Sequence, residues 1–298
     1  MTQKLQKQLF AIKKVMVETL NKNYVPFPVD KSLCSRWTND LPHGGETIIY
    51  TSFMYQLASL FKSYEKYLPT FSNLGGSSRM ASLGKLFIKP KKEDLERSYA
   101  ILRNISAMLR KMGINHGYLY DDEPYSGGLL LELGMINEFK DYSQKVLQRF
   151  NDNGVKKVIT VDPHTTNAME RMKKLLNSDI EVVNYLTLIK GLRGNGEFVI
   201  HDPCLYTRYL DLGGTIRSVL IDAGIIVKED VMVTSKEYGT CCGGPLGPVD
   251  LELSGQIAED RAKKLLSVSD RVIVACPLCY QNLSPYIKNI KDLAEVVS

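Results

Sequence analysis

Most of the signatures that usually betray a protein's chemistry are missing from these 298 residues. No apolar run is long enough to cross a bilayer, which excludes an integral membrane helix. The N-terminus shows neither a signal-peptide core nor a small-residue cleavage site, so a cytoplasmic protein is expected, peripheral to a membrane only through partners. There is no G-x-G-x-x-G dinucleotide fingerprint, and the stretch from Gly243 to Gly247 lacks the lysine and the Ser/Thr that a phosphate loop needs after its glycines. A ferredoxin-type run of closely spaced cysteines is absent too, so no internal relay leads to a flavin or nicotinamide. The 38 basic side chains outnumber 33 acidic ones, a formal net charge of +5. They are scattered, with only short clusters such as Lys89, Lys91 and Lys92, and no aromatic platform accompanies them, which reads as a solvated surface and argues against nucleic acid.

What is present is a concentration of cysteine. Five of the six cysteines fall in the last third as Cys204, Cys241-Cys242 and Cys276-x-x-Cys279, with 36 residues in the first gap and 33 in the second. An adjacent cysteine pair is poorly shaped for a disulfide, and the ligand-like intervals suit metal in a reducing compartment better. Five thiolates exceed the four of a structural zinc site, and two neighbouring sulfurs do not converge on one ion as a C-x-x-C pair does. The surplus ligand favours a multi-iron cluster, with zinc as the alternative. The sixth, Cys34, has no cysteine near it in sequence and reads as a small buried hydrophobe.

Apolar periodicity organises the rest. Leu5, Leu9, Ile12, Met16 and Leu20 keep helical spacing until Pro26 and Pro28 end the segment, an N-terminal helix suited to docking. The strings EFVIH (197–201) and RVIVA (271–275) read as strands running into Cys204 and Cys276, and Ile225 to Thr234 as a third strand before Cys241. A helix carrying Leu253, Ile257, Ala258, Ala262 and Leu265 follows the cysteine pair. Each cysteine group therefore sits after a strand and before a helix, and a parallel sheet would bring all three loops to the carboxyl edge where α/β proteins bind ligands. Gly243 and Gly244 permit close backbone approach there, and Pro203 and Pro277 stiffen the other two loops.

The first half repeats this order without the thiols. Ile48 to Ser52 followed by Phe53 matches the strand into Cys204, DEPYSGGLL matches TCCGGPL, and VITVDPHT matches VIVACPLC. Phe53, Tyr125-Ser126, Asp162 and Thr165 stand where cysteines would, while Gly127, Gly128 and Pro163 remain. The first copy also holds a longer insertion with a Gly75-Gly76-Ser77-Ser78 turn and a helix bearing Ile101, Ile105 and Leu109 that Gly113 stops. Asp162 and His164 are two potential ligands without a third, which does not make a metal site. The chain divides on this reading into an N-terminal helical extension (1–45), a degenerate repeat (46–193) and a ligand-bearing repeat (194–298), joined at Arg193-Gly194-Asn195-Gly196.

The strings HDPC, CCGGP and ACPLC at these intervals resemble the CCG domain of the HdrB component of heterodisulfide reductase and its relatives. That resemblance implies an α/β protein of two similar Rossmann-like halves with parallel sheets. It further implies that Cys204, Cys241, Cys242, Cys276 and Cys279 hold one noncubane 4Fe-4S cluster, and the degenerate first copy is similar to that of the sulfur-oxidising heterodisulfide-reductase-like complexes. The implied role is that of an oxidoreductase component working on thiol, disulfide or persulfide groups in sulfur metabolism. Its partners would be an iron-sulfur protein similar to the HdrC component, a flavin protein similar to the HdrA component, and a sulfur-carrier protein. His201 and Arg208 are the candidates to flank the cluster. Two other readings stay open: an electron-transferring or anchoring CCG component of a dehydrogenase complex, and a zinc-bearing scaffold.

Overall fold

The computed structural model describes residues 3–60 and 90–298, so Lys89 and the Gly75–Ser78 turn lie outside the described residues. The chain forms two compact units: one of Met1–Tyr99, His116–Ile159 and Ala168–Val182, the other of Ala100–Asn115, Thr160–Asn167 and Val183–Ser298. Both are α/β with parallel sheets.

The first unit opens with helix α1 (Gln3–Asn23), whose four-residue apolar spacing buries Ile12, Met16 and Leu20 while Phe10 stays exposed. Strand β1 (Thr47–Tyr50) follows, then helix α2 (Lys92–Lys111), with Glu93 and Asp94 in its first turn and Arg110 and Lys111 in its last to complement the dipole. Gly113 ends it at a left-handed φ of 73°. Helix α3 (Ile136–Asp152) buries Phe139, Tyr142, Val146 and Phe150, and Phe150 meets Tyr50 of β1 edge-on at 5.1 Å. Strand β2 (Lys157–Thr160), helix α4 (Pro163–Leu176) and strand β3 (Glu181–Asn184) complete a sheet of order β1-β2-β3. An isolated parallel bridge from Ile48 to Gly117 extends it beyond β1.

The second unit contains β4 (Glu197–Ile200), α5 (Cys204–Arg208), α6 (Gly213–Asp222), β5 (Ile226–Lys228), α7 (Leu251–Leu266), β6 (Arg271–Val274), α8 (Pro277–Leu283) and β7 (Asn289–Asp292). The sheet runs β5-β4-β6-β7, all parallel, with Glu197 opposite Ile226, Val199 opposite Val272 and Arg271 opposite Asn289. The central strands β4 and β6 are continuously apolar because both of their faces are covered, whereas β7 alternates as a half-covered strand does. With Gly117 standing in for β5, the two units share one strand order. They also share an ending that the sequence reading did not pick out. Asn184 after β3 and Asp292 after β7 each accept a backbone N–H two residues on, from Leu186 and Ala294, and so start short 3-10 turns.

The strand expected over 225–234 is much shorter. Thr234 donates to the Asp230 carbonyl and Met232 to the Asp230 carboxylate, which folds the chain into a turn directly after Lys228. As the sheet edge, β5 has no neighbour on its far side to extend it. The buried stripe of α7 is likewise rotated from expectation: Leu253 is exposed, and Ser254, Ala258, Arg261, Ala262 and Leu265 face inward.

Where the first unit's strand β1 ends, a buried carboxylate organises the chain. Glu123 accepts from the Thr51 and Ser52 N–H groups through Oε1 and from Thr51 Oγ1 and Tyr118 OH through Oε2. These bonds hold Ser52 and Phe53 at left-handed φ values of 48° and 62°. Burial pushes the Glu123 carboxyl up to about 7 despite its four donors. A folded-state value above the unfolded value of about 4.3 means the folded chain binds the extra proton, so this group's contribution to stability falls as pH rises through that window. Glu123→Gln is therefore expected to melt at a temperature that gains on wild type between pH 5 and pH 8. A melting-temperature difference that does not vary with pH would contradict it.

Candidate metal centre

Strand β4 delivers His201, Asp202 and Pro203 into Cys204, the first residue of α5. Strand β6 delivers Cys276, which takes the N-cap position of α8 with Pro277 behind it. Cys279 lies three residues on, and this helical spacing turns both sulfurs to one side. The Cys241-Cys242 pair does not leave a strand directly. It arrives through a loop of twelve residues after β5.

Two buried arginines hold that loop in place. Arg217 of α6 grips the Asp202 carboxylate at 2.7 and 3.2 Å, binds Glu229, and reaches the Gly213 and Thr234 carbonyls. Burial opposes its charge, but Asp202 and Glu229 outweigh that and raise its pKa. Arg261 of α7, 1% exposed, donates to His201 Nδ1 at 3.1 Å, to the Val233 carbonyl at 2.7 Å and to Thr240 Oγ1 at 3.4 Å. Arg208 ties α5 to the same loop through the carbonyls of Glu237 and Gly239.

The pair itself is fixed from below. Asn282 Nδ2 donates to the Cys242 carbonyl at 2.6 Å and Ser254 Oγ to the Gly243 carbonyl at 2.8 Å. Gly243 turns at a φ of 83°, where a Cβ would meet the Ser254 carbonyl oxygen at 2.6 Å, so glycine is required. This turn aims the Gly243 N–H at Cys241 Sγ and the Gly244 N–H at Cys242 Sγ, each at 3.4 Å.

The five thiols are neighbours in a run, Cys204 beside Cys241, Cys241 beside Cys242, Cys242 beside Cys279 and Cys279 beside Cys276, and every one is free of disulfide. Neighbouring sulfurs hold Cys204, Cys242 and Cys279 high, while bonds from Cys204 and Cys242 bring Cys241 down. At Cys276 burial acts upward, and the contacts from Cys279 and His164 overcome it and lower the thiol. Crowded buried thiols cannot all ionise beside one another without a positive centre among them. Cys34, by contrast, is fully buried in the first unit, where burial raises its thiol.

The residues present fit a thiolate-bound cluster. His201 is fully buried, and burial together with Arg261 pushes it down to about 3, so the ring is neutral. Its Nδ1 accepts from Arg261, which leaves the ring hydrogen on Nε2, and that atom has no partner among the described residues. One His201 ring nitrogen lies within 4.8 Å of the Cys242 and Cys279 sulfurs. Arg261 Nη2 is buried and unpartnered as well. Two orphaned donors, two N–H groups aimed at sulfur and five thiols make a pocket that asks for an anionic, sulfur-rich occupant.

Of the first copy's counterparts, Phe53, Tyr125 and Ser126 lie in the first unit, and Asp162 and Thr165 in the second. The sequence reading missed Arg217, Arg261, Ser254 and Asn282. A signal existed for Arg261, since it falls between Ala258 and Leu265 on the inward stripe of α7.

Residues 198–284 match the CCG cysteine-rich domain family. The chain is 28% identical over 218 residues to the EtfAB:quinone oxidoreductase of Syntrophomonas wolfei, covering 64% of this chain and 30% of that protein. It is 28% identical over 197 residues to the probable iron-sulfur-binding oxidoreductase FadF of Bacillus subtilis, covering 61% and 28%. Both matches are longer than the chain from residue 198 to its end, so they reach into the first half. The chain spans less than a third of the length of these curated relatives.

Gly243→Ala is expected to destabilise the fold by about 1–3 kcal/mol through its left-handed backbone and to lower bound metal per chain. Gly255→Ala, inside α7 with only Tyr286 Oη at 3.5 Å from the new Cβ, is expected to gain about 0.5–1 kcal/mol and leave metal unchanged. Thermal melts with metal analysis check both, and equal effects from the two substitutions would contradict the assigned role of Gly243.

Proposed function

We propose that Cys204, Cys241, Cys242, Cys276 and Cys279 bind one noncubane 4Fe-4S cluster and that the chain is the cluster-bearing redox part of a larger oxidoreductase. The observation that carries this reading is the run of five free neighbouring thiols, three of them buried, beside unpartnered polar atoms that are donors. The match of 198–284 to a cysteine-rich domain family, and a relative named as iron-sulfur-binding, support it. When bound, such a cluster supplies one-electron exchange beside an iron accessible to a substrate sulfur.

The protein's own part is to shape and polarise that site. Arg217 and Arg208 hold the 229–240 loop, so that Cys241 and Cys242 face Cys204 and Cys279. The Gly243 and Gly244 N–H groups donate toward sulfur, and the unpartnered His201 Nε2–H is left for the occupant, so that these donors would offset negative charge where it accumulates on reduction. Cys204 and Cys241 are only partly buried, so they mark the side a substrate or partner reaches. The substrate class proposed is a thiol, disulfide or persulfide, whose sulfur is a suitable ligand for iron in a thiolate site. Electrons would pass to and from an iron-sulfur protein similar to the HdrC component of heterodisulfide reductase and a flavin protein similar to its HdrA component, with a sulfur carrier delivering substrate.

A second reading is favoured by one observation. The relatives are named oxidoreductases, one of them acting on quinone, and this chain corresponds to under a third of each. In that case the cluster relays electrons within an assembly and binds no sulfur substrate. A third, a zinc scaffold, draws on the close approach of His201, Cys242 and Cys279.

Anaerobically prepared protein is expected to contain iron and acid-labile sulfide near four each per chain, and Cys241→Ser or Cys242→Ser to lose most of it while Cys34→Ser keeps it. Zinc without sulfide would refute the cluster. Added thiol or disulfide is expected to change the paramagnetic resonance spectrum, and an unchanged spectrum would favour the relay.

A further inference from the structure

The degenerate first motif does not stand apart from the thiol pocket. Residues 160–167, which match the second copy's Cys276-x-x-Cys279 loop by sequence, belong to the second compact unit. His164, 4% exposed, sets its Nε2 at 3.3 Å from Cys276 Sγ. Its counterpart in the second copy is Leu278, a side chain with nothing to donate.

His164 lies in the first turn of α4, which several hydrogen bonds tie down. Asp162 accepts from the His164 and Thr165 N–H groups, each at 2.9 Å, and from Thr165 Oγ1 at 2.5 Å, so the two residues that replace cysteines bond to each other. Thr166 Oγ1 meets the Asp162 carbonyl at 2.7 Å and Thr160 Oγ1 at 2.8 Å. Asn184 donates to Thr166 Oγ1 at 2.9 Å and to Tyr206 OH at 2.8 Å, and Tyr206 belongs to the short helix that begins with Cys204. A polar chain thus runs from the Cys204 helix through Asn184 and Thr166 to the first turn of α4, where the His164 imidazole lies against Cys276.

We infer that His164 is a positioning residue for the redox centre, donating an Nε2–H hydrogen bond to the Cys276 thiolate and raising the reduction potential of the cluster bound there. This inference rests on the cluster reading above. A hydrogen bond to a coordinating sulfur withdraws negative charge from it, and the reduced, more negative state gains more from that than the oxidised one. The degenerate copy, having exchanged its own thiols for a capping Asp and Thr, supplies a donor that the intact copy lacks.

The test compares His164→Leu, which installs the residue of the second copy, with His164→Gln, which keeps an N–H near the position of Nε2. Both are purified anaerobically, assayed for iron and sulfide, and titrated for midpoint potential by paramagnetic resonance. His164→Leu is expected to load iron as wild type does and to shift to a more negative potential, and His164→Gln to recover much of the shift. An unchanged potential in loaded His164→Leu, or equal shifts in both variants, overturns the inference while leaving the cluster in place. Where His164→Leu fails to load, pulsed resonance on protein with 15N-labelled histidine decides: a coupling lost in His164→Gln supports the bond, and one retained in full overturns it. Wild-type protein without iron and sulfide overturns the cluster reading, and this inference with it.

Discussion

Five thiols in one buried pocket are an electrostatic problem before they are a binding site. Each thiolate raises the cost of ionising the next, so Cys204, Cys242 and Cys279 are driven up, while bonds from their neighbours, and at Cys276 the His164 ring, bring Cys241 and Cys276 down. Apart from a metal, the compensation available among the described residues includes the Gly243, Gly244 and Cys279 N–H groups, the His201 and His164 rings and the Arg261 guanidinium. A metal bound there would link its occupancy to the conformation of the three cysteine loops.

That linkage explains the two interior arginines. A buried guanidinium is costly unless its donors are satisfied, and breaking such a pair strands its partner's charge. Arg217 has its carboxylates in Asp202 and Glu229, which lie on either side of β5 in sequence, so a single side chain joins the HDPC loop to the turn after Lys228. Arg261 bonds no carboxylate directly. It spans His201, Val233 and Thr240; burial lowers its pKa, and the nearby Asp202 carboxylate, followed by Cys279, Cys242 and Cys241, acts against that. An anion bound among those cysteines would add to this support.

The parts legible in the sequence were those fixed by local pattern. The apolar runs of β4 and β6 and the proline and glycine punctuation put Cys204 and Cys276 at strand ends, and the parallel order of the sheet brought them together. The spacing of Ile101, Ile105 and Leu109 up to Gly113 marked its helix correctly. Illegible were the parts that depend on long-range polar pairing. Nothing near 229–240 announces that Arg217 and Arg261 will fold it back as a loop, and the apolar letters of Ile225 to Val233 look like strand until Asp230 captures its own backbone. The same holds for His164. Judged within its own motif it was half of an incomplete metal site, and its contact with Cys276 links residues 112 apart.

One topology carries two different chemistries here, and the sign of the buried charge tells them apart. At the carboxyl edge of β4 the buried Asp202 carboxylate is paired with Arg217, and among the described residues the polar atoms left unpartnered there are donors, which suits an anionic occupant. At the corresponding edge of β1 the inward group is the Glu123 carboxylate, which itself takes up the Thr51 and Ser52 N–H groups at the strand end. Its neighbours Thr51 Oγ1 and Tyr118 OH complete its shell, so the donors of that edge are consumed internally. A thiolate-bound cluster placed beside a buried carboxylate would meet repulsion in a low dielectric, and among the described residues Lys31 beside it is only half-buried, with burial lowering its pKa.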